Sequence, residues 1–301
     1  MKNIIDELNQ VNKKASKTGQ RVIAIFGDPI GHSLSPVIQN AAFSHLDLPF
    51  IYHAFHVRPG RELKDAVAAI KALDMAGANT TIPHKESVIE HLDIISADAR
   101  AIGAVNTIVN KDNQLTGYNT DGLGYVRSLV EETAFDSNGK NILIIGAGGA
   151  ARGIIFALLK NTPNRITIMN RTLEKAEKLA GELSSAHKDT PITIAELNDR
   201  ESIKEAALII NTTSIGMVWT AMADETPISL EYTCNDTIIS DIVYMPLLTP
   251  FIKQAIKKGL KTHTGLGMLV CQGALGFELW TDTPAPIDIM MKAARKALET
   301  K

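Results

Sequence analysis

The chain has 301 residues, 45% hydrophobic and 21% charged, with a formal net charge of -2. That length exceeds the usual single domain and predicts about two. The balanced charge excludes an electrostatic footprint for nucleic acid or an anionic membrane surface, and Cys234 and Cys271, which lack CxxC or Cys/His spacing, exclude a disulfide framework and a structural zinc.

Residues 1–20 read as a polar, partly helical extension with no apolar run of signal-peptide length, and no later stretch approaches a membrane span, so a reducing cytoplasm is expected. From residue 21 onward short apolar runs alternate with helical periodicity: VIAIFG, a helix from about Ser35, IYHAFHV, a helix from about Arg61, then GANTTI. Such alternation predicts βαβ units on a parallel sheet. VNTIVN at 105–110 and QLTGYN at 114–119, separated by Lys111, Asp112 and Asn113, predict a hairpin that makes this first sheet mixed, though mainly parallel. A helix from about Thr120 to Thr133 and the polar FDSNGK then lead into NILII at 141–145. Strands NILII, RITIM, ITIAE, ALIINTT and TIISDIV alternate with helices as far as KTHTG at 261–265. Two helical stretches follow, 267–280 and 286–299, and they are assigned to the first domain, whose sheet needs cover on both faces. The expected architecture is therefore α/β: an N-terminal α/β domain of residues 21–119 plus 266–301, and a Rossmann dinucleotide-binding domain of residues 120–265.

The sharpest chemical signal is GAGGAARG directly after NILII. Gly146, Ala147, Gly148, Gly149 and Ala150 would let backbone approach a pyrophosphate, with a helix N-terminus holding its charge. About 20 residues on, an NAD site carries Asp or Glu for the ribose 2′-hydroxyl; here stand Asn170, Arg171 and Thr172. A cation suits a 2′-phosphate, so NADP is the expected cofactor.

In GDPIGHSLSP, Ser33 and Ser35 precede a helix and form a candidate anion site, with Ser35 as a plain N-cap the alternative. GANTTIPHK ends a strand with Asn79, Thr80 and Thr81 and delivers Lys85, which could equally be a solvated lysine at a helix start. Asn106, Asn119 and Asp121 lie at further strand ends, Asp121 with helix initiation as its alternative. Together, a lysine, an aspartate and several amides beside a dinucleotide module suit hydride transfer to a polyhydroxylated carboxylate. His53 and His56 fall on opposite strand faces and the other histidines lack ligand spacing, so no metal is expected.

As a group, GDPIGHSLSP, GANTTIPHK, GAVNT, GYNTDG, GAGGAARG, NRT, NTTSIGM and GLGMLVCQGA resemble the shikimate dehydrogenase family over almost the whole chain after residue 20. The resemblance implies that Ser33 and Ser35 bind the substrate carboxylate, that Lys85 and Asp121 are the catalytic pair, and that Thr81, Asn106 and Gln272 contact ring hydroxyls. It also implies that Tyr244 sits near nicotinamide and substrate, and that Thr213, Gly265 and Lys175, four residues after Arg171, join the NADP site. The implied reaction is reduction of 3-dehydroshikimate to shikimate. Three residues depart from the pattern: Thr80 replaces a valine, Gln39 a common histidine and Asp282 a frequent glycine. Gln39 keeps quinate open as a substrate, with NAD or dual cofactor use, and a non-catalytic NADP-binding regulator is the alternative of another class. A homodimer is left open, with no surface stripe to predict it.

Overall fold

The structure, a computed structural model, describes residues 4–184 and 189–299; the first three residues of the expected extension and the last two of the chain lie outside them. The chain forms two compact units, Met1–Thr120 with Gln272–Lys301, and Asp121–Cys271.

The first unit opens with α1 (Ile4–Lys17), acidic in its first turn and basic in its last, as the helix dipole favours. Polar as the stretch reads, Ile4, Leu8 and Ala15 are buried in the core of this unit. Then come β1 (Arg21–Gly27), α2 (Ser35–His45), β2 (Phe50–His56), α3 (Arg61–Ala72) and β3 (Gly77–Thr80). A 3-10 turn at Ser87–His91 leads to β4 (Ile94–Ile95), α4 (Ala97–Ile102), β5 (Thr107–Lys111) and β6 (Gln114–Tyr118). The sheet order is β2-β1-β3-β5-β6-β4, with β1 parallel to β2 and β3, and the β3–β5 and β5–β6 pairs antiparallel. The hairpin turns on Asp112 and Asn113, whose φ of 51° and 63° match the right-handed twist of the strands. β4 and α4 carry no hydrophobic periodicity because they are too short; Ser96, which accepts from Ala99 N, and left-handed Gly103 are the signals that delimit α4.

The second unit runs α5 (Asp121–Thr133), β7 (Asn141–Ile145), α6 (Gly149–Leu159), β8 (Arg165–Met169), α7 (Leu173–Ser184), β9 (Ile192–Ala195), α8 (Arg200–Glu205), β10 (Leu208–Asn211), β11 (Ile238–Asp241), α9 (Pro250–Lys257) and β12 (Thr262–Thr264). α10 (Gly265–Thr281) contains the division between the units, and α11 (Ile287–Glu299) completes the first. The sheet order β12-β11-β10-β7-β8-β9 is parallel throughout. Its direction of winding reverses between β7 and β10, the switch point where open α/β sheets bind ligands. Gly122 makes the contact of α5 with α6 so close that a Cβ there would lie 2.0 Å from the Gly153 carbonyl oxygen.

Returning to the first unit, α1 and α3 cover one sheet face through Leu8, Phe26, Phe55, Val67 and Ile70. α2, α11 and the end of α10 cover the other: Phe43 of α2 stacks on Phe277 at 5.1 Å and the Trp280 indole N–H donates to Ile108 O at 2.9 Å. Each such buried ring contributes on the order of 2–3 kcal/mol. Among the described residues, no helix is long and apolar enough to cross a membrane.

Candidate active site

α2 begins at Ser35, with Pro36 next; its N-cap is Leu34, which makes no side-chain cap bond. The N-cap explanation of Ser35 therefore falls. Ser35 N donates instead to Ser33 Oγ at 3.2 Å, and the Ser35 side chain lies near the phenol of Tyr52 on β2. Tyr52 is 1% exposed, and burial pushes its phenol well above its ordinary pKa.

From Tyr52 a buried chain of side chains crosses the sheet. The phenol donates to Asn79 Oδ1 at 2.5 Å; Asn79 Nδ2 donates to Asn106 O at 2.8 Å and Thr107 Oγ1 at 3.0 Å. Thr107 Oγ1 donates in turn to Asn106 Oδ1 at 3.1 Å, which also accepts from Thr120 N at 2.8 Å. Asn106 Nδ2 then donates to Thr120 Oγ1 at 2.9 Å and to Gln272 Oε1 at 3.3 Å. Tyr52, Asn106 and Gln272 are thus joined through Asn79, Thr107 and Thr120. Asn79 was legible as a polar strand end. Tyr52, Thr107 and Thr120 were not, since a tyrosine or threonine in a strand reads as β-propensity.

Thr81 follows β3 rather than extending it. Its N–H donates to Phe26 O at 2.9 Å and its methyl packs so near Gly27 that a Cβ there would lie 2.5 Å away. The strand ends at Thr80, whose hydroxyl donates to Val105 O at 2.7 Å, so the departure at this position ties two strand ends together. Lys85 lies in the turn after Pro83, half-buried, and its carbonyl accepts from Val105 N at 2.7 Å, one residue before Asn106. Asn119 Nδ2 donates to Ala104 O at 3.0 Å, a loop-fixing role. Asp121, 4% exposed, is the first residue of α5 and so of the second unit, while Lys85 belongs to the first. Gln39 is 1% exposed; its Nε2 donates to Gly273 O at 2.8 Å and its Oε1 has no hydrogen-bond partner.

In the second unit, the loops after β7, β8, β10, β11 and β12 leave one edge of the parallel sheet. Gly146 has φ 112°, and a Cβ there would strike Thr212 Oγ1 at 2.5 Å, so only glycine suits the turn. Thr212 closes it by donating from its N–H and hydroxyl to Ile145 O at 2.8 and 2.7 Å. Past Ala147, Gly148 caps α6 and Gly149 starts it, with Ala150 in the first turn. Beyond chain neighbours and the helix's own backbone, neither glycine has a heavy atom within 4 Å of where a Cβ would stand, which leaves room for a pyrophosphate over the helix N-terminus. After β8, Asn170 Nδ2 donates to Thr172 O at 2.7 Å, shaping the turn that exposes Arg171; Lys175, also exposed, follows in α7. Open backbone at a helix N-terminus and cations after the second strand fit NADP. The donor set matches the phosphates it would carry.

After β10 and β11 stands a cluster whose main members the sequence reading passed over. Asn211 Nδ2 donates to Asp241 Oδ1 at 3.0 Å, Val243 N donates to the same oxygen at 3.0 Å, and Thr249 Oγ1 donates to Oδ2 at 2.7 Å. Burial outweighs these donors and raises the Asp241 carboxyl to about 7. Asn211 Oδ1 accepts from Thr213 N and Oγ1 at 3.0 and 2.7 Å, so one network holds Thr213 and the loop carrying Tyr244. Burial also raises the Tyr244 phenol. Gly265 lies so near Ile242 that a Cβ would be 2.2 Å from its carbonyl oxygen. The overlooked signal was an aspartate at the very end of an apolar strand. Among the described residues, no group of three or more His, Cys, Asp or Glu side chains is placed to hold a metal.

Residues 25–108 match the shikimate dehydrogenase substrate binding domain family, residues 128–242 the shikimate / quinate 5-dehydrogenase family, and residues 265–295 the shikimate 5'-dehydrogenase C-terminal domain family. A protein of Geobacillus kaustophilus named shikimate dehydrogenase (NADP(+)) is 47% identical over 93% of this chain and 99% of its own length. A crystal structure of a shikimate dehydrogenase in complex with NADP+ superposes with a TM-score of 0.88 at 40% identity, covering 93% of this chain and 96% of the other. The shikimate 5-dehydrogenase of Listeria monocytogenes, solved with shikimate and NAD, gives a TM-score of 0.84 at 37% identity, over 91% and 96% of the two chains. With family models and relatives matching across nearly its full length, the chain belongs to the shikimate dehydrogenase family.

Proposed function

We propose that this protein catalyses the reversible NADP-linked reduction of 3-dehydroshikimate to shikimate. The observation that supports this reading most directly is the buried polar chain from Tyr52 to Gln272. A hydrophobic core has no need of it, and it suits one carboxylate and several ring hydroxyls. Relatives named NADP-dependent shikimate dehydrogenases share more than two-fifths of their residues with it.

Ser33 and Ser35 would bind the carboxylate, and Asn106, Gln272 and Thr81 would orient the ring hydroxyls. Lys85 would deliver the proton to the reacting oxygen during reduction and take it back during oxidation, with Asp121 hydrogen-bonding the same hydroxyl. Gly146 to Ala150 would hold the pyrophosphate, Asn170, Arg171, Thr172 and Lys175 the 2′-phosphate ribose, and Thr213, Tyr244 and Gly265 the nicotinamide end. Bound NADPH supplies the hydride to the substrate carbon.

Initial rates followed by nicotinamide absorbance, with shikimate and quinate each offered with NADP and NAD, test the reading. Turnover confined to shikimate with NADP is expected. Lys85→Ala should lower kcat by roughly 100- to 10,000-fold with little change in KM; a variant that kept kcat and lost only substrate affinity would remove Lys85 from proton transfer. Quinate is the second reading, favoured by Gln39 with its unpartnered carbonyl oxygen in α2. Cofactor binding without turnover of either acid would point instead to a regulator. A cytoplasmic location accompanies the biosynthetic reading.

A further inference from the structure

We propose that His263 is a positioning residue for the nicotinamide end of the site, held as the Nε2–H tautomer within a one-way circuit of hydrogen bonds that ties β11 and β12 to α5. The inference rests on the NADP-binding reading of the second unit.

The sense of the circuit follows from its fixed end. The Ser128 hydroxyl donates to Tyr125 O at 3.0 Å, a carbonyl that can only accept. Its single proton is thereby committed, so toward His263 Nε2, 2.9 Å away, Ser128 can only accept. Nε2 therefore carries the ring hydrogen and Nδ1 is bare. Nδ1 in turn accepts from the Ser240 hydroxyl at 2.9 Å, and Ser240 Oγ accepts from the Tyr125 phenol at 2.9 Å. The circuit leaves from the phenol of Tyr125 and returns to the carbonyl of the same residue, with every proton matched to a lone pair. The opposite tautomer would set Ser128 Oγ against Tyr125 O, lone pair to lone pair, and would leave the proton of Tyr125 or Ser240 without an acceptor in the circuit. Burial lowers the imidazole to about 4 and raises the phenol, so at neutral pH the ring is uncharged and the phenol keeps its proton.

All four side chains are at most 1% exposed. Burying them costs desolvation that an apolar filling would avoid, and what the circuit contributes instead is orientation. β12 needs it: the strand is only Thr262–Thr264, lies at the edge of its sheet and pairs with β11 alone. His263 is in register with Ser240, and the residues that follow each lead to the site. Asp241 takes donors from Asn211, Val243 N and Thr249, and Asn211 holds Thr213. Thr264 leads to Gly265, where a Cβ would lie 2.2 Å from Ile242 O. Tyr125 stands one helical turn after Asp121, the first residue of α5. His263 thus fixes the loops carrying Thr213, Tyr244 and Gly265 relative to that helix.

The test is imidazole nitrogen NMR of the full-length protein, joined to equilibrium NADP binding, steady-state kinetics and thermal unfolding of His263→Leu, His263→Asn and His263→Gln. The wild-type His263 signals, identified by their loss in His263→Gln, should show the Nε2–H pattern at neutral pH. His263→Leu should weaken NADP binding roughly tenfold while KM for shikimate stays within about twofold. His263→Asn places an amide oxygen where Nδ1 stood, opposite Ser240, and should return NADP binding to within about threefold of wild type. His263→Gln reaches only the Ser128 side and should not. With a wild type that binds NADP and turns over shikimate, any of three results overturns the inference alone: an Nδ1–H pattern, unchanged NADP binding in His263→Leu, or recovery by His263→Gln equal to that by His263→Asn. Should His263→Leu fail to fold, the tautomer and the ranking of the two amides decide. A wild type that binds no NADP overturns both this inference and the reading beneath it.

Discussion

Arg171 shows how much one exposed side chain can be asked to do. It follows β8 where a dinucleotide site meets the adenosine ribose, in a turn shaped by Asn170. Because it is exposed, salt screens its charge, and discrimination should weaken as ionic strength rises. Arg171→Asp should raise KM for NADP by about 10- to 100-fold and lower it for NAD, measured at low salt; an unchanged NADP:NAD ratio would move the selection elsewhere. The place of Arg171 just after β8 was legible in the sequence because it is fixed by distance along the chain from the glycine turn. Tyr52 was not, because its partner Asn79 comes 27 positions later and only parallel pairing of both strands with β1 brings them together. Asp282 shows the reverse case, where structure explains a departure. It ends α10 at φ 50°, in the left-handed region where glycine is the usual choice and aspartate one of the few tolerated substitutes.

Where elements meet, the buried groups set a pH response. His263 of β12 lies between the hydroxyls of Ser128 of α5 and Ser240 of β11, each 2.9 Å from a ring nitrogen, and Tyr125 meets its edge at 5.4 Å. Burial lowers its pKa from 6.5 to about 4. An imidazole depressed on folding stabilises fully above pH 6.5 and loses that contribution as pH falls towards 4, about 2 kcal/mol between pH 7 and pH 5. Asp241, raised from 3.8 to about 7, runs the other way: its contribution is complete below pH 3.8 and lost as pH climbs through 7, again about 2 kcal/mol from pH 5 to pH 7. The two nearly cancel. Chemical denaturation of the wild type should therefore vary little across that interval on their account, whereas His263→Gln should grow less stable as pH rises and Asp241→Asn more stable. Parallel slopes in both variants would show that neither group titrates with folding. The strands that carry these residues were legible as apolar runs. That Asp241 sits at the end of one as a buried acceptor was not, since its donors come from Asn211 and from a loop up to Thr249.

At the level of the molecule, the alternation of strand and helix fixed the α/β class, and the glycine turn marked the start of α6. Sheet orders were beyond the sequence. β4, two residues long, joins the first sheet parallel to β6, a pairing made by distant chain segments with no local signature. Cofactor should protect this architecture by mass action: NADP at about 100 times its Kd adds about 2.7 kcal/mol to unfolding, read as a raised Tm, and equal protection by NAD would contradict the Arg171 assignment.

The first unit is interrupted in the chain, since Gln272–Lys301 belong to it while Asp121–Cys271 are continuous. During synthesis Met1–Thr120 emerge before Asp121–Cys271, yet the face formed by Tyr52, Phe43 and Ile108 O must wait for Phe277 and Trp280, which follow both. The nucleotide-binding half is complete before either. Of the two units, the one that is begun first is therefore the one that matures second, and until Phe277 and Trp280 arrive it presents aromatic surface that a chaperone would recognise.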